Sequence, residues 1–215
     1  MKTTTHQTPL LLDHIIYSKL TDEPKRIFLL LHGYLLDGQI MYKHFENIFP
    51  KDSLVLAPNA PIPVPLKKKG GYSVKYAWYY FDPEKKNYYI NFDPAASFLK
   101  EMLSQYPELP TTVIGYSQGG YLAPKVAEVC EQVDEVIGIC ATFRVNRFQQ
   151  KNIPYSLINS EIDKVVEIEN SREEFLKLEN NKGEFIVMPE AVHRLGPEHR
   201  NALQEYIKKY HASEE

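Results

Sequence analysis

Apolar and polar positions along the chain alternate between two rhythms. Short, nearly continuous apolar runs at 26–31, 53–57, 111–115, 135–140, 154–159 and 184–188 have the length and density of strands buried on both faces. Between them, 39–48, 94–105, 119–132, 166–178 and 197–210 carry apolar residues at helical spacing, as Leu203, Tyr206 and Ile207 do in the last. Strand and helix in alternation from Arg26 onward predict an α/β fold, a mostly parallel central sheet flanked by helices. Residues 10–18 predict an antiparallel strand or hairpin at one edge. Asp93 and Pro94 read as the N-cap and first position of the second helix. Pro124 predicts a kink or a delayed regular start in the third. With no internal repeat and no linker, residues 1–215 read as one domain.

Residues 61–92 break the rhythm. They hold Pro61, Pro63 and Pro65, then Lys67, Lys68 and Lys69, then Gly70 and Gly71, then eight aromatic residues between Tyr72 and Tyr89. So many rings argue against disorder, and an excursion of this length in a compact domain is commonly functional. Two readings stand side by side: a wall or lid over a pocket, and a satellite core.

Composition narrows the partners. The formal net charge is -3, and the three lysines are the one tight basic cluster, so a nucleic-acid partner has no electrostatic footprint. The lysines read as a solvated loop. Two cysteines, Cys130 and Cys140, make neither a disulfide framework nor a zinc set and read as small buried hydrophobes. No apolar run is long enough to span a bilayer, and the first residues lack a signal-peptide pattern. A cytoplasmic protein without stable membrane insertion is expected, as monomer or homodimer.

The chemistry concentrates in Gly115-Tyr116-Ser117-Gln118-Gly119. This G-x-S-x-G motif follows an apolar run and opens a helical pattern, the strand–turn–helix setting of a nucleophile elbow. A serine needs a base to take its proton, and in such elbows acid and histidine follow the serine in the chain. His193, in the loop after the last apolar run, is the candidate base. His199 reads as a surface helix residue and His211 as part of a frayed tail. Asp163 is the candidate acid, with Glu161 as the alternative; Asp134 precedes its strand and falls at the wrong end of the sheet. The oxyanion donors are expected to be the N–H groups of Gln118 and of Tyr34, the latter in the loop after 26–31. His32 reads as a residue that fixes this loop.

Leu30-Leu31-His32-Gly33-Tyr34, Ala57-Pro58-Asn59-Ala60-Pro61, Trp78-Tyr79, the Ser117 motif with Gly120, Asp163-Lys164-Val165-Val166 and His193 occur in the order of a known family. From about Arg26 to its end the chain resembles the carboxylesterase/phospholipase group of α/β hydrolases, which includes acyl-protein thioesterases and lysophospholipases. The resemblance implies an α/β-hydrolase fold with little or no cap domain and cofactor-free hydrolysis of a small-molecule ester or thioester, with no metal. It places Ser117, Asp163 and His193 on the family's triad positions and Tyr34 and Gln118 on its oxyanion hole. Leu35, Trp78 and Tyr79 are the expected substrate contacts. The family usually has a small residue, often glycine, where Leu35 stands, and a glycine and a proline where Ser160 and Glu167 stand. Besides ester hydrolysis, acyl transfer or peptide cleavage by the same serine, and a catalytically inactive ligand-binding protein, are the alternatives.

Overall fold

Ile27 to Leu31 are five apolar residues in a row, all with no solvent exposure. In the computed structural model, which describes residues 16–19, 23–82, 84–85 and 87–211, they serve two cores at once. The elements, in chain order, are β1 (Ile16–Lys19), β2 (Arg26–Leu31), α1 (Gly38–Phe45), β3 (Ser53–Pro58), β4 (Ile62–Lys68), β5 (Gly71–Ala77), β6 (Tyr80–Asp82) and β7 (Asn87–Tyr89). There follow α2 (Asp93–Leu103), β8 (Thr111–Tyr116), α3 (Gln118–Val129), β9 (Val133–Ile139), β10 (Tyr155–Ser160), α4 (Ile168–Phe175), β11 (Phe185–Met188) and α5 (Pro197–His211).

Seven strands form the main sheet in the order β1-β3-β2-β8-β9-β10-β11. Only β1 runs antiparallel, on β3; the pairings of the other six are parallel. Because successive side chains of a strand point to opposite faces, Ile27, Leu29 and Leu31 join the core under α2 and α3, with Leu99, Leu122 and Val126. Phe28 and Leu30 join the other core, with Met41 and Phe45 of α1 and Leu203 and Ile207 of α5. Continuous apolar runs are therefore what a doubly covered sheet requires. Among the described residues no helix is long and apolar enough to cross a membrane.

The edge strand expected at 10–18 is observed at Ile16–Lys19, and 10–15 lie outside the described residues. Several boundaries differ from expectation for local reasons. Asp93 is not a cap: Phe92 occupies that position without a side-chain bond, and the Asp93 N–H donates instead to Asn91 Oδ1 at 3.1 Å. Pro124 sits inside α3, buried, and the helix runs on to Val129. α4 starts at Ile168 rather than 166, because Glu167, with ψ 124°, is extended rather than helical. β9 ends one residue before Cys140, whose φ of 47° lies in the left-handed region and cannot continue a strand.

The excursion at 61–92 is two β-hairpins. β4 pairs with β5 from Ile62↔Ala77 to Lys68↔Gly71, and β6 pairs with β7. The two-residue turn at the tip of the first is Lys69-Gly70, where Gly70 has φ 93°, a conformation glycine adopts without strain. Lys67, Lys68 and Lys69 are exposed there. The aromatic residues divide: Trp78 and Tyr79 are in the core, whereas Tyr72, Tyr80, Tyr88 and Tyr89 are exposed.

Candidate active site

Four loops meet at the carboxyl ends of β2, β8, β10 and β11, where open α/β sheets bind ligands. β8 delivers Ser117. Its φ of 48° and ψ of -116° lie outside the ordinary regions, and its N–H donates to Ile139 O at 2.9 Å. Such strain persists only where the surroundings enforce it. Here they do: a Cβ on Gly115 would stand 2.3 Å from Gly119 O, and one on Gly119 would stand 2.4 Å from Leu31 O. Both glycines are therefore demanded by close approach of backbone to backbone.

Ser117 Oγ lies 2.9 Å from His193 Nε2, and His193 Nδ1 lies 2.7 Å from Asp163 Oδ2. A carboxylate accepts and does not donate, so His193 carries its proton on Nδ1, and Nε2 is left to accept from the Ser117 hydroxyl. Asp163 is buried, and Oδ1 also accepts the N–H groups of Val165 at 2.8 Å and Val166 at 3.0 Å. Burial alone would raise its pKa. The bonds from His193, Val166 and Val165 outweigh that and hold the carboxyl below its ordinary value. Glu161, the alternative acid, is exposed and makes no side-chain hydrogen bond among the described residues.

The loops that present these groups are braced. The Ser160 hydroxyl donates to Ala191 O, which ties the Asp163 loop to the His193 loop. The Gly196 peptide is held on both sides: its carbonyl accepts from His44 Nε2 at 3.0 Å and its N–H donates to His199 Nδ1 at 3.1 Å. His199 is not a surface residue. It is fully buried, burial lowers its pKa, and Nε2 meets Cys140 Sγ at 3.2 Å. With Nδ1 accepting, the proton of the neutral ring sits on Nε2 and points at the thiol. Nor does His211 fray: it ends α5 with Nε2 at 2.8 Å from the buried Glu135 Oε2.

His32 fixes the β2–α1 loop as its position suggests. Nδ1 donates to Gly33 O at 2.8 Å, Nε2 accepts the Ala60 N–H at 3.0 Å, and Trp78 Nε1 donates to the His32 carbonyl at 2.8 Å. Burial pushes the imidazole down to about 4, so it is neutral. Leu35 has φ 59°, and its N–H donates to Tyr76 O at 3.1 Å. The small residue expected there answers a backbone constraint, because glycine alone enters that region freely.

A cavity of about 430 Å³ opens over Ser117 and His193. Leu36, Ile40, Val165 and Leu195 supply apolar walls, and Tyr34 and Tyr88 supply rings. The expected contacts Leu35, Trp78 and Tyr79 do not line it. Leu36, next to Leu35 in the chain, lines it, and Trp78 and Tyr79 are buried. The Gln118 side chain clamps their backbone, accepting the Trp78 N–H at 2.8 Å and donating to Tyr79 O at 2.9 Å. Trp78 and Tyr79 border a separate, apolar hollow of about 270 Å³ with Ile62, Tyr80 and Tyr89. The Gln118 clamp and the Cys140–His199 contact join residues far apart in sequence, so no local pattern announces them.

Cys140, Asp163 and His193 place ligand atoms within 4.8 Å of one another. Asp163 and His193 are already bonded to each other, and burial and the neighbouring Asp163 push the Cys140 thiol up, away from the thiolate that a metal binds. The trio is the underside of the Ser117 arrangement.

A doubly wound sheet carrying a strained serine at the end of β8 defines an α/β hydrolase. Residues 21–184 match the model of the FSH1 serine hydrolase family, and the chain belongs to that family; it is a serine hydrolase. Among solved structures it is similar to acyl-protein thioesterase 2 of Zea mays (18% identity, TM-score 0.72, covering 91% of this chain and 98% of that one). It is also similar to esterase PE8 (20%, 0.64, 91% and 97%). A third is MGS-M2, an α/β hydrolase from a deep-sea metagenome library (11%, 0.67, 94% and 95%). No curated protein sequence matches the chain.

Proposed function

We propose that this hydrolase cleaves carboxylic esters or thioesters through an acyl-enzyme on Ser117. The observation that carries the reading is the continuous line of hydrogen bonds from Ser117 Oγ through His193 to Asp163. Ser117 Oγ attacks the acyl carbon while His193 Nε2 takes its proton. The negative oxygen rests on the N–H groups of Gln118 and Tyr34. Gln118 opens α3, and the first N–H groups of a helix have no partner within it. His193 then hands its proton to the departing alcohol or thiol, leaving the acyl group on Ser117. Water, deprotonated by His193, attacks that ester and releases the acid. Asp163 keeps the imidazole in the correct tautomer and stabilises its charged form. The 61–92 excursion serves as one wall, with Tyr88 facing the cavity beside Tyr34 (ring centroids 6.3 Å apart).

Intact mass after treatment with a fluorophosphonate tests this. Such a probe modifies a serine only when base and oxyanion donors activate it. One adduct is expected on the wild type and none on Ser117→Ala. A folded wild type that takes no adduct, or a Ser117→Ala protein that still takes one, overturns the reading.

A further inference from the structure

The cavity over Ser117 has apolar walls, the polar groups of Ser117, His193 and three tyrosines, and one permanent charge. Of the residues lining it, Arg194 alone carries a permanent charge, and none is acidic. The exposed carboxylates of the adjoining loops, Glu161 and Glu190, do not line it. Arg26 is bonded to Asp134, Arg172 to Glu169 and Arg200 to the His44 carbonyl, whereas Arg144 and Arg147, which do not line the cavity, make no side-chain hydrogen bond or ion pair among the described residues. The Arg194 side chain makes no hydrogen bond, ion pair or ring contact among the described residues. Its backbone is nevertheless well fixed. It follows His193, which is anchored to Ser117 and Asp163. Its own N–H donates to Val192 O at 2.6 Å, and two residues on, Gly196 is gripped by His44 and His199.

Arg194 is exposed beside the nucleophile with no protein anion to meet, and is matched to an anion brought by the ligand, because a planar guanidinium fork pairs with a carboxylate or phosphate by two bonds at once. On the basis of the ester hydrolysis proposed above, we propose that Arg194 receives an anionic group carried by the substrate. The preferred substrates are then esters or thioesters bearing a negative charge away from the scissile carbonyl. The anion is remote from the reacting atoms, so its contact with Arg194 strengthens binding more than turnover.

Three substrates test this and locate the charge: p-nitrophenyl butyrate, neutral; p-nitrophenyl hydrogen glutarate, with the carboxylate on the acyl side; and the butyrate ester of 4-hydroxybenzoate, with it on the leaving group. The quantity read is the ratio of kcat/KM for each anionic ester to that for the neutral one. The ratio is expected to fall about 10-fold or more in Arg194→Gln, mainly through KM, and to be largely kept in Arg194→Lys. It should also shrink as salt screens the pair. Whichever anionic ester shows the effect identifies the side that Arg194 reads. A ratio that Arg194→Gln leaves unaltered for both esters overturns the proposal, even while neutral ester turnover upholds the hydrolase reading. Calorimetric titration of glutarate into Ser117→Ala and into Ser117→Ala/Arg194→Gln gives an answer independent of turnover. Weaker binding to the double variant supports the proposal, and equal binding or none to either protein counts against it.

Discussion

At the scale of single residues, geometry assigns distinct duties to side chains that composition cannot tell apart. Asp163 and Glu161 are both carboxylates on one loop, yet one is buried against an imidazole and two backbone N–H groups and the other is exposed. Asp163→Asn keeps the shape but presents an amide to His193 and invites the wrong tautomer. It should lower kcat by about 10,000-fold with KM little altered, as measured on any ester the wild type turns over. Gln118 supplies the N–H proposed above for the oxyanion, and its side chain holds the Trp78–Tyr79 backbone. Truncation to alanine leaves the buried Trp78 N–H without its acceptor. Gln118→Ala should therefore cost about 1–3 kcal/mol in urea unfolding, although the substitution leaves the oxyanion N–H in place.

At the scale of elements, the close approach of α3 to β2 and β8 sets the serine. Gly119→Ala would drive a methyl into Leu31 O, backbone that cannot step aside. The variant should lose both fluorophosphonate labelling and several kcal/mol of stability, read as a lowered Tm. The opposite end of the sheet is held differently. Glu135 of β9 accepts from Thr112 of β8 and from Tyr206 and His211 of α5 at 2.8–2.9 Å, so one buried carboxylate ties two strands to the last helix. Burial would raise its pKa, and the three donors together hold it below its ordinary value. Tyr206→Phe removes a donor to that carboxylate and a partner of Ser156. It should destabilise by about 1–3 kcal/mol while leaving labelling of Ser117 intact.

At the scale of the whole molecule, acid should weaken the fold. His32 falls from 6.5 to about 4 on folding, through burial. Between those values the unfolded chain takes up a proton that the native state refuses. Stability is therefore full above about pH 6.5 and declines as pH falls toward 4, by roughly 3 kcal/mol from this group. His199, lowered by burial, acts in the same direction from the same upper limit. Asp163 and Glu135, both held below their ordinary values, add losses at lower pH still. Urea unfolding at pH 7.5 and pH 4.5 should reveal the decline, and His32→Gln should flatten it. A wild type equally stable at both would show that these imidazoles are not buried neutral.

Six of the seven strands of the main sheet, and the five helices, are legible in the chain because a doubly covered sheet forces runs such as Ile27–Leu31 to be apolar without a break, a demand each segment satisfies alone. The Ser117 elbow is legible in part for the same reason: Gly115 answers a steric need within the motif, against Gly119 O, although Gly119 answers to Leu31 O of a distant strand. What tertiary structure decided are relations between segments. Asp163 rather than Glu161 faces His193 because β10 and β11 lie side by side and the Ser160 hydroxyl ties their loops. Trp78 and Tyr79 are buried and bonded to a glutamine 40 and 39 residues away instead of lining the Ser117 cavity. His199 is a brace, and Arg194 is the lone permanent charge at the cavity. Local sequence carries the preference of a backbone for strand, turn or helix. Which side chains then meet depends on packing at long range, where a hydrogen bond has no signature until both partners have been brought to the same place.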